Sequence, residues 1–357
     1  MVTNINSMAM KRFLSSLIAV ITLFGVADAC TSAIVSDKMA RRGSTLMWKH
    51  RDTGNENNFV ARVSGGRYDY VALFNAGDSL LSEAWAGLNS AGFGIMNTAS
   101  YNLAPDTACI KDREGVVMIQ ALKECATLSD FEQMLNRLPR PLGVQANFGV
   151  VDASGNGAYY ETSDSGYIKY PLSDAADGVL YRTNYSYSGD TLTMGYGYIR
   201  ECNAKHLLEP YRKAHNIGAD TFTEVLSRSF YHSLMGRDML AGAGDWLVDQ
   251  DFIPRNSSSA SVVIETGANP VMWVAIGYPP CAVVMPVTVD SVPDVLQPSP
   301  ETWRSKACDE VVARKNNVFP IKRGSGSHYI DVKALRHYND SCKVESYRQY
   351  DAFYKRH

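Results

Sequence analysis

Short apolar runs closed by turn residues dominate the first third of the chain. Ser44-Thr45-Leu46-Met47-Trp48 and Tyr70-Val71-Ala72-Leu73-Phe74 are each bounded by Gly, Asn or Asp, a pattern of strands rather than helices. Residues 31–98 therefore read mostly as β. The period then changes. Between Glu114 and Glu124, Val117, Ile119, Ala121 and Leu122 fall broadly on one side of a helix. Ser129-Asp130-Phe131-Glu132 opens a second helix, which Pro139 and Pro141 end. Asn147 to Val151 is a strand, and Asp152-Ala153-Ser154-Gly155-Asn156-Gly157 turns it into Ala158-Tyr159-Tyr160-Glu161. Residues 192–214 and 219–231 are expected to be helical. Ala260 to Glu265 and Val271 to Ile276 form a late hairpin around Gly267-Ala268-Asn269-Pro270.

Strands first, helices between and strands again late predict a layered α+β domain with antiparallel sheets, not a doubly wound parallel sheet. No internal repeat, low-complexity tract or long linker interrupts it. Residues 287–300 are richer in proline and divide the chain into a main domain, 30–290, and a C-terminal extension, 291–357, packing on it. The tail beyond Pro320 is basic and polar and is expected to be peripheral.

The first 29 residues follow a different pattern. Lys11 and Arg12 precede an apolar run from Phe13 to Val26, and Ala27-Asp28-Ala29 then gives the small-x-small pattern that signal peptidases accept. The run is short for a membrane span. Residues 1–29 are thus expected to be a secretory leader, which places the protein in a bacterial periplasm or outside the cell. Cleavage after Ala29 makes Cys30 the first residue. A cysteine there carries a thiol and a free α-amine, so a single residue supplies both nucleophile and base. Bacterial lipoproteins are also cut before a cysteine, but that pattern wants leucine and a small neutral residue where Ala27 and Asp28 stand. A lipid-anchored, non-catalytic binding protein is the alternative from another class.

Removing 29 of the 357 residues leaves 328, and 45% apolar content is ordinary for a chain that buries a core. The full chain carries −2; losing Lys11, Arg12 and Asp28 with the leader makes it −3. Neither value suggests nucleic acid or an anionic membrane as partner. Seven cysteines leave six besides Cys30, enough for up to three disulfides of undetermined pairing or for buried thiols. There is no C-x-x-C, H-E-x-x-H, phosphate loop, G-x-G-x-x-G after a strand or G-x-S-x-G. Hence no metal or cofactor is expected. The scattered histidines, His50 among them, read as packed or surface side chains. Trp48, Phe59, Trp85 and Tyr101 read as core.

Several segments occur in a telling order: Cys30-Thr31; Gly43-Ser44-Thr45, then Lys49-His50-Arg51-Asp52; Ala86-Gly87-Leu88-Asn89 through Asn97; Asn147 to Ala153; Arg182-Thr183-Asn184-Tyr185; and Gly244-Asp245-Trp246 followed by Arg255 and Ser258-Ser259. The series resembles the N-terminal-nucleophile hydrolases, in their isopenicillin-N acyltransferase-like and choloylglycine-hydrolase-like branches, over most of residues 30–286. That resemblance implies a four-layer αββα sandwich and cleavage, or acyl transfer, at a linear amide. It implies Cys30 as nucleophile, Asp52 holding its amine, Asn97 beside it, Asn184 donating to the oxyanion and Arg255 reaching back to the site. Lys49 falls where the bile-salt branch has arginine; Arg51 is the other cation that could face the thiol. The implied partner is a small acyl-amide or a short peptide, with no membrane span. Gly43-Ser44-Thr45 also resembles related secreted dipeptidases, so peptide hydrolysis is the alternative enzymatic reading. Oligomeric state is left open.

Overall fold

In the computed structural model, residues 29–192, 196–323 and 326–356 are described. The expected leader lies outside them except for Ala29. Two buried strands open the chain, β1 (Thr31–Val35) and β2 (Leu46–Asp52). Alternation along β2 sends Leu46 and Trp48 to one face and Met47 to the other. Four more strands follow as an antiparallel meander: β3 (Asn58–Val63), β4 (Tyr70–Asn75), β5 (Ala84–Asn89) and β6 (Gly94–Ala99). Helices α1 (Glu114–Glu124) and α2 (Leu128–Arg137) intervene before β7 (Ala146–Val151), β8 (Gly157–Ser163) and β9 (Gly166–Pro171) complete a seven-stranded sheet in sequence order. Thr127 and Asp130 cap α2 reciprocally.

Strand β10 (Val179–Arg182) returns to pair with β1. Helix α3 (Tyr198–Lys213) follows, then the short strands β11 (Tyr231–His232), β12 (Arg237–Asp238) and β13 (Trp246–Val248). The expected hairpin is β14 (Ser258–Glu265) with β15 (Val271–Ile276), joined by β16 (Met285–Val287). The second sheet has the order β10-β1-β2-β14-β15-β16, and its pairs are antiparallel throughout. Helices α4 (Lys306–Val318) and α5 (Val332–Tyr354) end the chain.

Three apolar seams bind four layers. Ile34, Met47, Leu73, Met96 and Val262 fill the space between the sheets. Phe74, Phe148, Leu122 and Phe131 join the seven-stranded sheet to α1 and α2. Trp48, Trp273, Leu208, Val311 and Leu335 join the six-stranded sheet to α3, α4 and α5. This is the α+β sandwich with antiparallel sheets that the sequence predicts.

Three expectations change. Within 192–214 the helix begins only at Tyr198, and residues 193–195 lie outside the described part. Residues 219–231 form a π-helical turn, Thr221–Val225, and a 3-10 turn, Leu226–Arg228, instead of a regular helix. Their β-branched threonines are buried in tertiary contacts that override a weak helical pattern. The tail is not peripheral. Leu335, Cys342, Ser346 and Tyr350 form the buried face of α5, with the Tyr350 ring 4.1 Å from that of Trp273. All seven cysteines are free thiols. Burial pushes the Cys308 thiol up to about 11 and that of Cys125 up to about 12, as expected of packed, unreactive cysteines.

Candidate active site

Cys30 lies where β1 begins, and the antiparallel register carries on past it. Thr31 pairs with His50, and the Ala29 N–H donates to the Asp52 carbonyl at 3.0 Å. Cys30 is 5% exposed and borders a cavity of about 430 Å³, whose walls include Lys49, Asp52 and Asn97. Asn184 and Arg255 join by hydrogen bonds. The Cys30 N–H donates to Asn184 Oδ1 at 2.8 Å, and Arg255 Nη2 donates to Asp52 Oδ2 at 2.7 Å. The six residues singled out from the sequence thus meet around one cavity and its hydrogen bonds, although they come from five separate stretches of chain.

Alternation along β2 turns both candidate cations inward. Lys49 and Arg51 share the inter-sheet face with Met47, and both border the cavity. Lys49 Nζ donates to Asn97 Oδ1 at 2.7 Å and to the Trp85 carbonyl at 2.8 Å. Arg51 donates to Asn58 Oδ1 and Asn75 Oδ1, with its guanidinium 4.8 Å from the Trp85 ring centroid. Trp48 and Phe59 are core, as expected, but Trp85 and Tyr101 line the cavity. The rest of its wall includes the polar side chains Asn55, Asp112, Glu114 and Gln145. Burial pushes the Glu114 carboxyl up to about 6 against the Gln145 N–H that it accepts.

His50 and Asp52 take the opposite face. Asp52 is fully buried and accepts from Arg255 and from Ser258 Oγ at 2.6 Å. A bulge in β14 turns Ser258 toward it: Ser258 pairs with Asp52, but Ala260 pairs with Arg51. The Asp52 carboxylate is thus held by Arg255 and Ser258, while its main-chain carbonyl meets the chain just before Cys30. Beside it, His50 is packed between Ser227 Oγ and Ser258 Oγ, at 3.1 and 2.8 Å. Burial pushes His50 down to about 4; Asp52 opposes this, and Arg255 and Arg200 add to it. His50 is neutral at pH 7, a packed histidine as the sequence suggests. Folded His50 binds its proton near pH 4, whereas the unfolded chain does so near 6.5. Its contribution to stability is complete above pH 6.5 and is lost as pH falls toward 4. Urea unfolding of wild type and His50→Gln should therefore show wild type losing about 3 kcal/mol relative to the variant between pH 7 and 4.

Asn184 follows β10 directly, and that strand is anchored from behind. Arg182 and Glu161 form a fully buried ion pair at 2.7 Å, and Glu161 also accepts from the Tyr187 and Ser188 N–H groups. Asn184 is turned with Oδ1 toward Cys30 and Nδ2 toward the Ala99 carbonyl, at 3.0 Å. Arg200 on α3 also reaches this spot, donating to Asn184 Oδ1, to the Cys30 carbonyl and to Thr31 Oγ1. It was not anticipated from the sequence. The available signal was a cation three residues after Gly197, in the first turn of a helix, where cations are disfavoured.

The arrangement offers a thiol, a backbone nitrogen held by an amide oxygen, and several cations around a polar cavity. Among the described residues, no group of three or more His, Cys, Asp or Glu side chains is placed to hold a metal ion, and no helix is long and apolar enough to cross a membrane.

No protein-family model matches the sequence, and no curated protein does. Solved structures do match. A Caenorhabditis elegans ortholog of N-acylethanolamine-hydrolyzing acid amidase shares 15% identity, with 66% of this chain and 92% of that one covered and a TM-score of 0.45. A variant of conjugated bile acid hydrolase from Clostridium perfringens shares 10%, covering 74% and 95%, with a TM-score of 0.48. Penicillin V acylase from Agrobacterium tumefaciens shares 12%, covering 74% and 87%, with a TM-score of 0.44. These neighbours are N-terminal-nucleophile hydrolases of the choloylglycine-hydrolase-like type. At such identities and scores, the reading of the site rests on its own geometry.

Proposed function

We propose that this chain is a cysteine amidohydrolase of the N-terminal-nucleophile kind, exported and then cut before Cys30, which cleaves a linear amide through a Cys30 thioester. The observation that carries the reading is the convergence of Cys30, Lys49, Asp52, Asn97, Asn184 and Arg255 on one cavity and its hydrogen-bond network. Cutting after Ala29 turns the nitrogen now bonded to Asn184 into an α-amine, whose ordinary pKa of about 7.7–8.0 suits a base near neutrality. The amine takes the thiol proton, and the sulfur attacks the amide carbonyl. Lys49 holds Asn97 by its oxygen, so the Asn97 amide hydrogens are donors for the developing oxyanion, and one such donor typically contributes about 3–4 kcal/mol to lowering the barrier. Asn184, whose oxygen accepts from the Cys30 nitrogen and whose amide donates to the Ala99 carbonyl, holds the amine rather than the oxyanion. The protonated amine then passes its proton to the leaving nitrogen, and water or an acceptor amine resolves the thioester.

The charged and amide side chains in the wall, Asn55, Asp112, Glu114 and Gln145 among them, give a small polar amide such as a short peptide partners that a steroid conjugate or a long acyl chain would leave unused. An assay of processed protein against an N-acyl amide, a bile-salt conjugate and a dipeptide tests both points. Turnover of at least one, abolished by iodoacetamide, is expected, with the dipeptide preferred. Protein that begins at Cys30 yet hydrolyses none of them would defeat the amidohydrolase reading.

A further inference from the structure

Arg200 sits against local electrostatics. It is the third residue of α3, at the positive end of the helix dipole. It is 1% exposed, and its Nε has no hydrogen-bond partner among the described residues. A rule broken this way, with no packing reason, marks a functional position. Its other donors go to the nucleophile's own residue and neighbours. Nη1 donates to the Cys30 carbonyl at 2.6 Å and to Thr31 Oγ1 at 2.9 Å, and Nη2 donates to Asn184 Oδ1 at 2.8 Å. The Cys30 nitrogen donates to that same oxygen. Two donors on one acceptor lie about 4–5 Å apart. Gly197 makes room for this. Its φ is +96°, and a Cβ there would lie 2.5 Å from Arg200 Nη2 and 2.7 Å from Thr183.

We infer that Arg200 is a positioning residue that holds the α-amine of processed Cys30 against Asn184 and keeps it in the free-base form. This rests on the amidohydrolase reading above. A cation this close to the amine disfavours the ammonium. Burial and the Arg255 charge push Arg200 down to about 9, so it stays cationic at neutral pH. The free amine takes the thiol proton as the S–H bond breaks and a new N–H bond forms. That same proton later leaves with the departing nitrogen, so the step balances with no other reactant.

Other charged groups line the cavity or act on Arg200 and its neighbours. Lys49, His50 and Asp52 come from β2, Arg255 and Asp251 from the segment before β14, and Arg51, Asp112 and Glu114 from the cavity wall. His50 is neutral and Asp52 is paired with Arg255. Arg200 is bonded to Cys30 itself.

The test is kcat/KM against pH for wild type, Arg200→Gln and Arg200→Lys, on an amide that the wild type turns over. In Arg200→Gln the acid limb should move up by about one pH unit or more, lowering kcat/KM at pH 6 at least about tenfold and largely recovering it at pH 9. Arg200→Lys should keep the limb near its wild-type position. An unmoved limb in folded Arg200→Gln overturns the inference and leaves the amidohydrolase reading intact. ¹⁵N NMR titration of the Cys30 amine in the wild type reads the same property without a variant. A midpoint below the ordinary value of about 7.7–8.0 supports the inference, and one at or above it overturns it. A wild type that hydrolyses no amide overturns both.

Discussion

Cys30→Ala should lower kcat/KM by at least about 10⁴-fold while leaving the fold in place, because the reaction then lacks its nucleophile and only binding and oxyanion stabilisation remain. The fold should survive because the side chain lost is small. The register that fixes this position runs through the backbone: Thr31 opposite His50, and Ala29 bonded to the Asp52 carbonyl. Cleavage before alanine would still leave an amine beside Asn184, so the variant removes sulfur and little else. Cys30→Ser restores a hydroxyl but not a comparable nucleophile, and should retain at most about one part in a hundred of the activity. Steady-state kinetics with thermal unfolding as a control measure both. Turnover within tenfold of wild type in Cys30→Ala would remove Cys30 from the chemistry.

Asp52→Asn should have the largest effect on stability. The carboxylate is fully buried, and Arg255, whose side chain is 17% exposed, is its ion-pair partner at 2.7 Å. Asparagine fits the same space but cannot balance the guanidinium, which then loses its ion-pair partner among the described residues and keeps only the more distant Asp249 and Asp251 charges. Breaking a buried pair from one side typically costs about 3–5 kcal/mol. Denaturant unfolding should show a loss of that order, and activity should fall with it because Ser258 and the start of β1 are tied to the same aspartate. Arg255→Met combined with Asp52→Asn should be less destabilised than the sum of the single variants, since it removes both charges. Strict additivity would show that the pair does not couple.

The elements that position the site were legible because they obey local rules. The helix at Glu114–Glu124 and the hairpin of β14 and β15 declare themselves by period and turn residues. Asp52 and Lys49 could be placed because β2 alternates strictly. The α5 helix was hidden because its buried face uses cysteine, serine and tyrosine, with few aliphatic side chains, spread over 23 residues. The turns at 221–228 were misread because tertiary contacts, including Ser227 with His50, decide their geometry. Arg200 was invisible for a related reason. Its partners are a main-chain carbonyl 170 residues earlier and an asparagine across the sheet edge, and no spacing in the sequence encodes that meeting. Asn184 was legible as a site residue but not in orientation, since the face its amide turns to Cys30 depends on Arg200 and Ala99.

Catalysis by an N-terminal nucleophile depends on Cys30 being the first residue with its amine free. Intact mass together with N-terminal sequencing of the protein recovered from expressing cells and their medium tests this most directly. The expected result is a single chain beginning at Cys30, with the mass of residues 30–357 and no added group. A chain beginning at any other residue, or one whose mass shows lipid or acyl on Cys30, would contradict it.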